Sequence, residues 1–384
     1  MVMKRASIVT GCVVTAMLAT QVAPLQTLAA ENQAVEQTST AAVASPALQE
    51  LGTQAVLLKT YALTLLKQPT ITIAAMPDLG SNQDKAKQHA RYWLDTVQAS
   101  FIDANQQSID FQQKIQNYYN KLMELAKQMD TNPTAKQDFI TGITKLQESL
   151  NIHQNQIKTM SSNLQQFEKK FDADAQNFIE ASKNAQKSLA DKNGEIAQLT
   201  QQIETLNSDI TAQIGTIVGG TIGLIAGIGA ITLGTIVLFT TAGTTTPIIV
   251  PILAGIVAGT GAVIGGSVTV GFAAKKLEDK RKELQNVTQK LTSAKADAAA
   301  LTLLTGQLNV FNDTIIKGKE SVESFGENWD TLQKNFTELS NNVKQIHPDS
   351  AIVQNKLAKI KKSVDDLATQ AKQQEKVITD ISYQ

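Results

Sequence analysis

The side chains that could carry chemistry are few and scattered. Three histidines, His89, His153 and His347, lie far apart, and none stands in an HExxH or comparable metal-ligand spacing. The chain holds no P-loop and no nucleophile elbow. Gly259-Thr260-Gly261 begins like a dinucleotide fingerprint, but its third glycine comes one residue late and no charged residue follows nearby. His153 falls on an apolar helical seam, where a satisfied core histidine outweighs a ligand or a pH switch. Trp93 and Trp329 sit at or near heptad positions and are expected in the core. The expectation is a protein that is not an enzyme and needs no cofactor and no metal.

The remaining chemistry is that of partition between water and hydrocarbon. From Ile210 to Ala274 no Asp, Glu, Lys, Arg or His occurs, whereas the chain elsewhere carries a charge every few residues. Asp209 and Lys275-Lys276 bracket the run, and 14 of the 22 glycines fall between Gly215 and Gly271. Two apolar arms stand out. The first holds Ile214, Ile217, Val218, Ile222, Leu224, Ile225, Ile228, Ile231, Leu233, Ile236, Val237, Leu238 and Phe239. The second holds Ile248, Ile249, Val250, Ile252, Leu253, Ile256, Val257, Val263, Ile264, Val268, Val270 and Phe272. Gly243, Thr244, Thr245 and Pro247 form the turn between them. A membrane helix needs about 20 residues and a membrane strand about 10, so each arm is long enough for either. The β-branched Thr235–Thr240 and Ile248–Val250 favour a short β-tongue at the tip. The small residues of Gly219–Gly227 and Gly255–Gly265, spaced for close helix approach, favour flanking helices. Burying one such aliphatic side chain contributes about 1.5 kcal/mol or more, and a domain's net stability is about 5–15 kcal/mol. A water-soluble form must therefore hide this hairpin. Lys275-Lys276 would meet anionic headgroups at its edge, or simply begin a solvated helix.

The rest of the chain must position that hairpin. Steps of 3 and 4 between apolar residues run from Leu51 to Leu65, from Val97 to Met129, from Phe139 to Phe178, and from Leu189 to Ile210. They resume from Leu277 to Ile346, and a last helix is expected over roughly 350–380. Breaks fall at Pro69, at Asp130-Thr131-Asn132-Pro133, at Asp191-Lys192-Asn193-Gly194 and at His347-Pro348-Asp349, and Ser81 or Asn82 can cap the second helix. The expected fold class is all-α: an elongated antiparallel helical bundle with a head domain carrying the apolar hairpin.

The N-terminus reads as a secretory signal, with Lys4 and Arg5 before an apolar stretch and Leu28-Ala29-Ala30 before Glu31. Val9-Thr10-Gly11-Cys12 looks like a lipoprotein box, but it follows Arg5 too closely for a normal apolar region. Cleavage near Ala30 removes Cys12, the only cysteine, and leaves no disulfide, thiol nucleophile or zinc-thiolate site. The expected organisation is a signal over 1–30, a flexible leader over 31–46, bundle over 47–213, the apolar head over 214–274, and bundle again over 275–384. The 35 basic and 35 acidic side chains balance, so nucleic acid is not an expected partner. A lipid bilayer is.

Several stretches carry a family likeness. Leu58-Lys59-Thr60-Tyr61-Ala62-Leu63-Thr64-Leu65-Leu66-Lys67-Gln68-Pro69 resembles the first helix of the three-component enterotoxins, haemolysin BL and the non-haemolytic enterotoxin. Tyr92-Trp93-Leu94-Asp95 and Asn117-Tyr118-Tyr119-Asn120-Lys121-Leu122 are similar to later segments of the same proteins. Trp329, with Leu332 and Asn341-Asn342-Val343, resembles their late Trp-containing helix. The resemblance implies a cytolysin A-like helical bundle with a hydrophobic tongue. It also implies secretion, oligomerisation on a target membrane with sister components, and pore formation. The bundle looks most like the component whose tongue is amphipathic, yet this tongue is wholly apolar, which leaves the role within an assembly open. A cell-envelope scaffold held by a permanent transmembrane hairpin is the alternative reading.

Overall fold

The computed structural model describes residues 44–189, 194–223, 228–234, 252–258, 267–288, 291–344, 349–379 and 382–383. The helices are α1 (Ala44–Lys67), α2 (Leu79–Tyr92), α3 (Gln98–Gln128), α4 (Pro133–Leu189), α5 (Glu195–Gly223), α6 (Ser267–Thr288), α7 (Ser293–Lys344) and α8 (Ser350–Thr379). Three strands accompany them: β1 (Ile228–Gly234), β2 (Ile252–Ala258) and β3 (Ser382–Tyr383). At 1.5 Å per residue the 57 residues of α4 span about 85 Å.

The helices begin and end where local chemistry requires. Asn132 accepts the backbone N–H groups of Thr134 at 3.0 Å and Ala135 at 3.3 Å, with Pro133 in the first turn, where its missing N–H does no harm. Asp349 does the same for Ala351 and Ile352 at the start of α8. Gly194 takes a φ of 70° in the turn before α5, a conformation open to glycine.

Four expectations need correction. The stretch expected to be a leader gives way to α1 already at Ala44. α2 starts at Leu79, ahead of Ser81 and Asn82, and its preceding Asp78 makes no side-chain cap; Asn82 N–H bonds to the Asp78 carbonyl instead. The apolar run expected from Leu277 to Ile346 is two helices, α6 and α7, parted after Thr288, whose hydroxyl bonds back to the Leu284 carbonyl. Ala294, placed on the seam by its spacing, is exposed, as is Tyr118 at 37%. The other residues of the Val97–Met129 and Phe139–Phe178 stripes are buried, as the periodicity requires. A π-helical turn, Trp93–Val97, joins α2 to α3 and seats the fully buried Trp93 against Phe101, with ring centres 5.3 Å apart.

Polar contacts fix the directions of the helices. Between α4 and α7, Gln147 meets Thr337, Gln154 meets Asp330, Glu168 meets Lys319, Asp172 meets Asn312 and Ser182 meets Thr305. One number rises as the other falls, so the pair is antiparallel and in one register along its length. α3 and α4 are antiparallel too, with Lys114 donating to Ser149 at 2.9 Å and Leu122 crowding Gly142. An added Cβ on Gly142 would come within 2.8 Å of Leu122 Cδ2, so glycine permits the close approach there.

α1 is the helix the others enclose. Besides its apolar stripe, Thr53, Gln54, Thr60 and Thr64 are buried. The Thr60 and Thr64 hydroxyls bond to the carbonyls of Val56 and Thr60, one turn back on their own helix, at 2.8 and 2.9 Å. That satisfies the Thr60 and Thr64 hydroxyls within their own helix.

A histidine sits at the meeting point of α3, α4 and α7. His153 is 8% exposed, between the rings of Phe111 (5.8 Å) and Trp329 (5.2 Å). Its Nδ1 lies 3.4 Å from Gln156, and its Nε2 meets no hydrogen-bond partner among the described residues. Burial pushes the imidazole below its ordinary value; the Gln156 bond opposes this, Lys114 adds to it and Asp110 counters it. The unfolded chain therefore takes up a proton first as pH falls below about 6.5, and stability declines from there toward the lowered folded value. Asp297 and Asp313, whose carboxyls burial raises, act in the opposite sense at lower pH. We expect the urea midpoint to fall between pH 7.5 and 5.5 in the wild type and to fall less in His153→Leu. Equal losses in the two proteins would show that His153 does not titrate on unfolding.

Candidate functional site

The uncharged segment emerges from the bundle between α5 and α6. These two helices are antiparallel at its root, where Lys280 lies 3.1 Å from Asp209, the last charge before the segment, and also 3.2 Å from Glu283. Both acids hold the Lys280 ammonium above its ordinary value. α5 runs through 213/214, where the sequence places the start of the head, without a break, and α6 begins at Ser267.

The root of the first arm is stored inside the bundle. Ile210, Ile214, Ile217 and Val218 lie on one face of α5, and each is 2% exposed or less. α5 packs against α6, α7 and α1: Asn207 crowds Gly306 of α7, an added Cβ on Gly219 would lie 3.9 Å from Thr53 Cγ2 of α1, and Thr211 faces Tyr61 of α1. Complete burial pushes the Tyr61 phenol up to about 12, with the Thr211 side chain working the other way. At about 1.5–3 kcal/mol per fully buried side chain, this stripe is held by an amount comparable with the net stability of a whole domain. On α6, Ala273, Leu277 and Leu284 are buried, while Phe272 stands 62% exposed.

Beyond the helical roots the segment turns to strand. β1 and β2 pair antiparallel, from Ile228 opposite Ala258 to Gly234 opposite Ile252, with irregular register at Ile228/Ala230 and Thr232/Leu233. β3 adds to the other edge of β1 in parallel, Thr232 beside Ser382 and Leu233 beside Tyr383, giving the order β2-β1-β3. A strand there corrects the expectation of a helix over Gly255 and Val257. Ile252, Leu253, Ile256 and Val257 form a compact β-branched-rich run that pairs with Ile228–Gly234, and this outweighs the four-residue spacing of the glycines. Gly219–Gly223 is helical, as that spacing suggests.

The other arm residues divide accordingly. Ile222 lies in the last turn of α5; Ile228, Ile231 and Leu233 lie in β1; Val268, Val270 and Phe272 lie in the first turns of α6. Leu224, Ile225, Ile236, Val237, Leu238, Phe239, Ile248, Ile249, Val250, Val263 and Ile264 lie outside the described residues, as do the turn residues Gly243, Thr244, Thr245 and Pro247 and the expected signal over 1–30. Among the described residues no helix is long and apolar enough to cross a membrane. No group of three or more His, Cys, Asp or Glu suited to a metal occurs among them either. His89 pairs with Asp174 at 2.7 Å beside Phe171, a structural contact that holds the Asp174 carboxyl below its usual range. Sequence reasoning missed the docking of α5 on α1, where the small residues Thr53 and Gly219 come together. It also missed β3, whose two residues carry no pattern.

Residues 38–213 match the family model described as Bacillus haemolytic enterotoxin (HBL). The likeness expected from the segments between Leu58 and Leu122 is therefore borne out over that range. Among solved structures, the Bacillus cereus HblL1 toxin component is 21% identical, with 88% of this chain and 96% of that one covered and a TM-score of 0.71. Soluble SmhB of the tripartite alpha-pore forming toxin Smh from Serratia marcescens is 18% identical, with 88% and 92% covered and a TM-score of 0.66. Soluble AhlB of the tripartite alpha-pore forming toxin AHL from Aeromonas hydrophila is 20% identical, with 88% and 94% covered and a TM-score of 0.65. At these identities the solved structures establish the shared helical-bundle fold. No curated protein matches the sequence.

The stored stripe is open to direct measurement. Ile214→Ala and Ile217→Ala, which truncate fully buried side chains, should each lower the urea-derived stability by about 2–4 kcal/mol. Hydrogen exchange should show the largest loss of protection in α5 and the facing part of α1. Loss below about 0.5 kcal/mol would mean that the stripe is not held as the packing indicates.

Proposed function

We propose that this chain is a secreted component of a multi-component α-helical pore-forming cytolysin. It binds a target cell membrane, inserts the uncharged segment between Asp209 and Lys275, and oligomerises there with sister chains. One observation carries the reading. A run of 65 residues without an ionisable side chain emerges from a helical bundle whose core holds the root of that run. The family match over 38–213 and the fold shared with components of tripartite toxins support it. Residues 1–30 serve as the secretory signal, the segment over 214–274 as the membrane-inserting head, and the flanking bundle as its storage frame and lever.

The mechanism follows from packing. In water, α5 is docked among α6, α7 and α1, with Ile210, Ile214, Ile217 and Val218 buried. Contact with a bilayer offers the apolar arms a second environment of similar polarity, so the hairpin can exchange one shelter for another without passing through full hydration. The chain acts by partition and assembly, with no catalytic step.

A redox lock tests this. The mature chain has no thiol once Cys12 is removed with the signal. Thr53→Cys with Gly219→Cys places two sulfurs where an added Cβ already comes within 3.9 Å of its neighbour. The oxidised protein should fail to insert into liposomes and should release no trapped dye with sister components, and a reductant should restore both. In parallel, replacing 224–266 with a short Gly-Ser turn, which spares the buried root, should keep the helical circular dichroism and abolish liposome sedimentation. Undiminished binding by the excised chain would refute the assignment.

A further inference from the structure

The two helices that leave the bundle at the uncharged segment are not equivalent. Asp209, the last charge of α5, is engaged by Lys280. On α6 the acid–base pairs begin at Glu278, which meets Lys282 at 2.7 Å, and at Glu283, which meets Lys280. Lys275 and Lys276, the two charges nearest the segment, are exposed and form no ion pair among the described residues. The uncharged run itself offers them no acid. One turn further out on the same face stands Phe272, exposed, with the Lys276 ammonium 4.8 Å from its ring centre. At the matching height on α5 the side chains are uncharged, Gln213 among them.

We infer that Phe272, Lys275 and Lys276 form a one-sided basic collar that reads anionic phospholipid headgroups at the foot of the inserted hairpin. The inference rests on the membrane reading above and adds a lipid class to it. The chemistry is that of an interface. An aromatic ring and a long cationic side chain at the junction of an apolar and a charged segment place the ring at the acyl boundary and the ammonium among the phosphates. Among the described residues of α5 and α6, the charges at this height without an ion partner are positive, so a surface rich in phosphatidylserine or phosphatidylglycerol is preferred to a zwitterionic one. Each lysine near such a surface changes the partition constant about fivefold, and the pair about thirtyfold.

The test compares the full mature chain with Lys275→Gln/Lys276→Gln and, separately, with Phe272→Ala. Sedimentation uses vesicles of pure phosphatidylcholine and vesicles containing 30% phosphatidylserine, at low and at physiological salt, after circular dichroism has established that each variant is folded. The expected result is preferential wild-type binding to the anionic vesicles. The double lysine variant should lose about thirtyfold of that binding, lose its salt dependence and keep its affinity for phosphatidylcholine, while Phe272→Ala weakens binding to both. Loss of equal size on both vesicles, or no loss on the anionic ones, overturns the collar while leaving membrane insertion standing. Absence of wild-type binding to either vesicle overturns the collar and the membrane reading together, whereas wild-type binding that excision of 224–266 leaves intact refutes only the hairpin's part in it.

Discussion

Everything in this structure answers to a single burial problem, the sheltering of 65 consecutive uncharged residues from water. A segment of that length cannot be a core of its own, because its small residues and glycines give little to pack against one another. For the described root of the segment, the bundle supplies the shelter. Its first means is helix continuity: α5 carries the root of the segment as an unbroken extension of a bundle helix, so Ile214, Ile217 and Val218 belong to the core and to the apolar run at once. The second is sheet pairing, in which β1 receives β2 on one edge and β3, from the far end of the chain, on the other. An edge that would otherwise offer unpaired backbone groups is covered there from within the chain.

The polar contacts divide the bundle into parts suited to different tasks. Along α4 and α7, side chains from the two helices bond to each other at successive levels, among them Lys319 with Glu168, each about one-fifth exposed. Exposed pairs add little stability, but a ladder of them penalises any slip in register. Between α1 and α5 the arrangement differs. Thr60 and Thr64 bond within their own helix, and the buried stripe of α5 is aliphatic. Moving an aliphatic stripe into another apolar medium exchanges like for like, with Thr211 beside Tyr61 a polar contact at that face, whereas separating α4 from α7 breaks a whole ladder of polar pairs. The frame is therefore keyed, and the docked root is releasable.

The sequence made the frame plain because its signals are local and repeated. Steps of 3 and 4 over whole helices place Phe139 through Phe178 in the core without ambiguity, and Asn132-Pro133 marks a helix start by chemistry that needs no tertiary context. The sharp charge boundaries at Asp209 and Lys275 are equally visible in one dimension. What escaped the sequence depends on partners distant along the chain. Gly255 and Val257 carry a helical spacing of small residues yet pair as strand with β1, because their neighbours are β-branched and a matching run lies 20-odd residues upstream. Tyr118 follows the stripe of α3 but is exposed, while the next residue, Tyr119, is the one that lies under Lys361 of α8. The burial of the threonine face of α1 is likewise a fact of assembly: polar residues at Thr60 and Thr64 look solvent-facing until the neighbouring helices close around them.

Releasing the hairpin is then a matter of small differences between large terms. The apolar arms gain about as much from hydrocarbon as from a protein core, since both remove the same surface from water. The terms that do not cancel are local. The α5 stripe loses its packing within the bundle, and the hairpin's edge loses its pairing with β3. Set against these is whatever the membrane adds beyond hydrophobicity, including charge at the α6 foot and contact with neighbouring chains. Each of these is a few kcal/mol, and about 5.5 kcal/mol carries a two-state equilibrium from one part in a hundred to ninety-nine. A resting form so balanced can persist in water and still yield to a surface that supplies charge, hydrocarbon and partners together, because no one of them alone need supply the whole difference.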